Sequence, residues 1–186
     1  ARRLRAHVFG EAGGYHNPHG GGNDYALERA LDLDVLLTSV GWANSYYAGE
    51  LYNPGADHYT DEWGIGWKNV AYETRFGSGF YTEFRDPPLA DDEAIDSYRA
   101  PDPTRPELYT AVGQAVREFG DEYWIVGSCQ TTLWETAVAL RGFETILMDL
   151  ICEPELVGRI LDIPQRYHTE VCRRLVGLGV DMIWLG

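Results

Sequence analysis

Short apolar runs alternate with stretches of helical spacing along most of the chain. Tyr25 to Asp32 has helical spacing, with Asn23 or Asp24 available as its cap, and it leads into the unbroken apolar run Val35 to Val40. A strand without polar alternation predicts cover on both faces, as in a parallel sheet. Leu108, Val112, Ala115, Val116 and Phe119 recur at helical spacing, which predicts an amphipathic helix over Glu107 to Phe119, stopped by Gly120. Tyr123 to Val126 is the next buried strand. Helices follow to about Arg141, from Phe143 to Cys152 and from Pro154 to about Leu178. Gly142 separates the first two. Pro154 takes the position a helix start tolerates best, and Pro164 predicts a kink. Val180 to Leu185 is a further strand after Gly179. Strand, helix and strand in this order predict parallel βαβ units, with three parallel strands and Leu4 to Phe9 as a candidate fourth.

Residues 60–86 break the rhythm. Aromatic and polar residues alternate there among several glycines, which predicts an inserted antiparallel ribbon turning near Gly77-Ser78-Gly79. Pro87 and Pro88 end it, Asp91 to Tyr98 reads as a short helix, and Pro101 to Pro106 reads as a stiff linker. Residues 1–23 read as a flexible, Gly-rich segment.

Charge narrows the partners. The formal net charge is -14, and the cations are Lys68 and a set of arginines with no basic cluster beyond Arg2 to Arg5. That field repels a polyanion, so nucleic acid is excluded as a partner. No apolar run reaches the roughly 18 residues of a membrane span, and Gly10 to Gly22 stands where a signal peptide would carry its apolar stretch. Cys129, Cys152 and Cys172 are odd in number and widely spaced. They predict reduced, mostly buried thiols in a cytoplasmic protein.

Four stretches together resemble the uroporphyrinogen decarboxylase superfamily, which includes cobamide-dependent methyltransferases. Asp61-Glu62-Trp63-Gly64-Ile65-Gly66-Trp67 is similar to the family's D-x-[WF]-G ribbon. Pro88-Leu89 with Tyr98-x-x-Pro101-Asp102-Pro103 is similar to its pre-helix linker. Gly127-Ser128 through Glu135 to Leu140-Arg141-Gly142 resembles its strand-loop-helix segment ending in L-R-G. Asp149-Leu150 with Glu153-Pro154-Glu155 resembles its helix junction. The resemblance covers about residues 30–186 and implies an α/β fold, a partial TIM (β/α)₈ barrel holding about its first half. Such barrels run to roughly 250 residues and place their active sites at the carboxyl ends of the strands. A half barrel leaves sheet edges and one side of its core open. Made alone, it is expected to be inactive and to aggregate or form a homodimer; a monomer that melts cooperatively is the contrary outcome.

The departures choose between branches. The decarboxylase's R-Q-A-G-R loop has no counterpart in Gly10 to Gly22. Its catalytic Asp falls where this chain has Thr38-Ser39-Val40-Gly41-Trp42, and its Tyr falls on Val138. The resemblance therefore implies the methyltransferase-like branch: methyl transfer between a corrinoid protein and a small-molecule acceptor. It also implies zinc, bound by His-x-Cys and Cys ligands expected beyond Gly186, because zinc deprotonates a bound thiol. The rival readings are a cofactor-free uroporphyrinogen decarboxylase, a glycosidase-like cleft pairing Asp61 with Glu135, and a non-catalytic binding barrel.

Glu135 is the acid best placed for catalysis, one turn into the helix after a strand-end loop, although the helix dipole alone favours a carboxylate there. Gln130 and Trp134 beside it are candidate substrate contacts. So are Trp42, Asn44 and Tyr46 after the first strand, where polar aromatics line pockets or simply pack. Asp61 and Trp63 complete the set, although Asp61 reads more readily as an ordinary turn acid of the ribbon. His16 and His19 lack a third ligand, Cys129 reads as buried and inert, and Arg141 reads as support for the helix break.

Overall fold

The structure, a computed structural model, describes residues 7–10, 25–40, 58–129 and 132–186. Its elements follow the sequence closely. They are α1 (Ala26–Ala30), β1 (Val35–Ser39), β2 (His58–Thr60), β3 (Gly66–Thr74), β4 (Gly77–Phe84) and α2 (Asp92–Ser97). A 3₁₀ turn (Pro106–Tyr109) then leads into α3 (Thr110–Phe119), β5 (Trp124–Cys129) and α4 (Trp134–Arg141). The last three are α5 (Phe143–Cys152), α6 (Pro154–Leu178) and β6 (Met182–Leu185). Residues 7–9 are helical, so the candidate strand at Leu4 to Phe9 is not formed in its described part. Glu107 to Phe119 divides because Pro106 opens it with a tighter turn. The chain forms two compact units: residues 1–48, 104–130 and 170–186, and residues 49–103 and 131–169.

The first unit is a parallel sheet in the order β1-β5-β6. Leu36 pairs with Ile125, Ser39 with Ser128, and Ser128 with Trp184. Because side chains alternate along a strand, the register divides the sheet into two faces. One carries Leu36 and Ile125, which join Tyr25 and Ala115 in a buried cluster with Val116, Phe119, Tyr123 and Val180 packed against it. Tyr25 meets Phe119 edge-on at 5.5 Å between ring centroids. Further along that face, a Cβ on Gly127 would come within 3.1 Å of the Leu175 side chain on α6, which would have to give by a few tenths of an ångström. Asp181 extends the ladder before β6, accepting from the Ile125 amide at 2.8 Å and donating its own amide to the Ile125 carbonyl at 2.9 Å.

The second unit contains the ribbon β2-β3-β4 and the helices α2, α4, α5 and the start of α6. The ribbon turns one step earlier than the glycines suggest, with Thr74 paired to Gly77 across Arg75 and Phe76. The Thr74 hydroxyl accepts from the Phe76 amide and donates to the Gly77 carbonyl, closing the turn with its own side chain. Pro164 lies inside α6. Gly142 separates α4 from α5 with φ +94°, a conformation that L side chains rarely adopt.

Arg141 is the polar centre of this unit. It is 4 % exposed. Its Nε donates to Asp149 Oδ2 at 2.7 Å, and its Nη2 donates to Asp92 Oδ1 at 2.7 Å. Its Nη1 donates to the Leu89 and Ala90 carbonyls at 2.8 and 3.1 Å. Burial alone would lower its pKa, but the hydrogen bonds to Asp149 and Asp92 outweigh that and raise it. The side chain therefore joins the end of α4 to α5, α2 and the chain after the ribbon, as expected of a residue supporting the helix break. Arg141→Met should cost about 3–5 kcal/mol in urea unfolding, because it strands the Asp149 carboxylate and the Leu89 carbonyl away from water, while exposed Asp92 stays solvated. Arg141→Lys should recover only part of this, since an ammonium cannot reproduce the planar fork.

Candidate functional site

The sheet face turned away from the α3 cluster carries Leu37, Ser39, Val126, Ser128, Met182 and Trp184. At its carboxyl end, Ser39, Ser128 and Trp184 stand side by side on β1, β5 and β6. Both serines are buried, at 4 % and 0 % exposure, and Trp184 is 44 % exposed. This end of the face offers hydroxyls and an indole, with no ionisable group among those three. It can hold a ligand by hydrogen bonding and ring contact but cannot itself supply a charge. Spacing along the sequence does not group these three residues. A serine within the last two positions of both β1 and β5 was the available signal, but only the register shows them as neighbours.

Cys129 lies on the opposite face, fully buried, with its Sγ 3.9 Å from Cys172 Sγ on α6. Burial, followed by the neighbouring Cys172, pushes its thiol well above the ordinary range. That matches an inert thiol. Cys152, by contrast, is exposed at the end of α5.

In the second unit the ribbon motif is held together by its own aspartate. Asp61 is buried, and its Oδ1 accepts from the Trp63 and Ile65 amides at 2.8 and 3.0 Å. Its Oδ2 accepts from Trp67 Nε1 at 2.6 Å. Gly64, at φ +75°, lets the chain reverse inside this loop. Trp63 is buried, with its ring 4.8 Å from Tyr167 and 6.3 Å from His168, while its carbonyl accepts from the Tyr98 hydroxyl at 2.8 Å. Asp61 and Trp63 thus organise the motif, and a paired-carboxylate cleft draws no support from an Asp61 bonded in this way. Glu135 and Trp134 are exposed in the first turn of α4. Trp42, Asn44, Tyr46 and Gln130 lie outside the described residues, as do His16 and His19.

Among the described residues, no three His, Cys, Asp or Glu side chains come together as a metal requires. The zinc implied by the resemblance has no ligand set there, and no step is assigned to it. No described helix is long and apolar enough to cross a membrane.

His168 is 5 % exposed, and neither ring nitrogen has a hydrogen-bond partner among the described residues. Burial lowers its pKa from the ordinary 6.5 to about 4. The unfolded chain therefore binds a proton that the folded chain refuses. Stability is full above pH 6.5 and falls as the pH drops toward about 4, with a loss on the order of 3 kcal/mol. Thermal melts of His168→Phe should show a weaker acid dependence between those limits than the parent protein.

The family model of uroporphyrinogen decarboxylase (URO-D) matches residues 69–186. No curated protein gives a significant match to the chain. The matched span includes Arg141 with its partners Leu89, Asp92 and Asp149, and the strands β5 and β6. With a parallel α/β sheet and a match over well more than half of its length, the chain belongs to the uroporphyrinogen decarboxylase (URO-D) family.

Proposed function

We propose that this URO-D family enzyme is methyltransferase-like, moving a methyl group between a corrinoid protein and a small acceptor such as a thiol. On this reading β1, β5 and β6 are neighbouring strands of a (β/α)₈ barrel. The observation that carries the proposal is the neutral end of β1. Buried Thr38 and Ser39 stand where a decarboxylase of this family carries its catalytic acid. A pyrrole decarboxylase needs an anion to stabilise its protonated ring, whereas a methyl acceptor needs only to lose a proton and reach the methyl carbon. In the transfer, the acceptor's lone pair forms the new bond to carbon and the electrons of the old bond stay with the corrinoid. Glu135 is assigned the acceptor's proton. Its carboxylate is exposed in the first turn of α4.

The test is a pair of assays on the gene's whole product. With a methylated corrinoid and a thiol, the visible spectrum should shift as the methyl group leaves and the thioether should accumulate. Glu135→Gln should slow that transfer by roughly 10²–10⁴. Release of coproporphyrinogen from uroporphyrinogen would overturn the proposal in favour of the decarboxylase.

A further inference from the structure

A cavity of about 490 Å³ opens in the second unit between α2, the Tyr98–Pro103 linker and one face of α6. Pockets for small organic ligands span roughly 300–1,000 Å³. None of the candidate site residues above lines this one. Its floor is apolar, made by buried Ile95 and Tyr167 with half-buried Ile163 and Tyr98. Pro101 and Pro103 stiffen one wall, so little conformational entropy is lost when a ligand enters. The Tyr98 ring is anchored from below, because its hydroxyl donates to the Trp63 carbonyl at 2.8 Å.

The rim is cationic, which is unusual in a chain with 29 acidic and 15 basic residues. Arg99, Arg159 and Arg166 stand around the opening against Asp96 and Asp162. Arg159 is hydrogen-bonded to Asp96, and Arg166 lies 3.6 Å from Asp162. Arg99 has no carboxylate among the described residues. Its Nη1 donates to the Ser97 and Tyr98 carbonyls at 3.2 and 2.9 Å, which holds the guanidinium beside the pocket with its other nitrogens uncommitted. Acids outnumber cations about two to one in this chain, so an arginine left without one at a pocket mouth marks a place for an external anion. Asp96 on Arg159 shows that the rim already accepts a carboxylate.

From this geometry we infer that the pocket binds a small organic acid, with its carboxylate on the Arg99 and Arg159 forks and its apolar body on the Ile95–Tyr167 floor. The charge-assisted fork selects the anion, and the floor selects an acid with a hydrophobic body over a bare ion. Asp96 competes with the ligand for Arg159.

Calorimetric titration of the whole protein with 3-phenylpropionate tests the inference. A Kd on the order of 1 mM is expected for a ligand of this size. The uncharged 3-phenylpropan-1-ol and inorganic phosphate should each bind at least about tenfold more weakly. Arg99→Gln should weaken 3-phenylpropionate about tenfold, Asp96→Asn should tighten it severalfold, and Ala100→Trp should abolish it by filling the cavity. All three positions are exposed, so circular dichroism should report an unchanged fold. The inference is overturned by no saturation at roughly twenty times the expected Kd, by equal binding of the alcohol or of phosphate, or by indifference to Arg99→Gln.

Discussion

The second unit depends on a charge that water cannot reach. Burying a guanidinium is costly unless its donors are answered, and all three nitrogens of Arg141 donate, to two carboxylates and two carbonyls from separate segments. Those partners must arrive together. The chain after the ribbon has to bring Leu89 and Ala90, α2 has to start at Asp92, and α5 has to present Asp149 two turns after the Gly142 break. One satisfied cation thus sets the register of four segments that share no sheet.

This explains what the recognisable residues are for. Pro88-Leu89, the L-R-G turn and Asp149 meet at Arg141, while the D-x-W-G ribbon closes on Asp61 and is tied by Tyr98 to the linker motif. In the described structure these motifs act as scaffold. The family match therefore speaks for the scaffold these motifs build and weakly for the reaction, since one fold hosts many chemistries.

Local pattern made most of the secondary structure legible. The strand at Val35, the α5 boundaries and the long α6 were readable from spacing, glycines and prolines, since each is set by residues close in sequence. The failures were of two kinds. Leu4 to Phe9 mixes apolar residues with Arg5 and His7 over a short run, too short for its pattern to separate strand from helix, and its described part, residues 7–9, is helical. The ribbon turn was placed on its glycines, yet the Thr74 hydroxyl closes it a step earlier by capping the turn itself. The strand-end serines were hidden for a different reason: Ser39 and Ser128 are far apart in sequence and become neighbours only through parallel pairing. Arg141 was readable as structural, but its four partners were not, because three of them lie about fifty residues upstream.

The choice of arginine at the junction also limits how this protein can be controlled. A guanidinium stays protonated throughout the range in which proteins fold, and its charge here is reinforced by its partners. Neither rising pH nor lysine-directed acylation can release it. The junction is consequently indifferent to both, a fixed frame for the helices and the linker of the second unit.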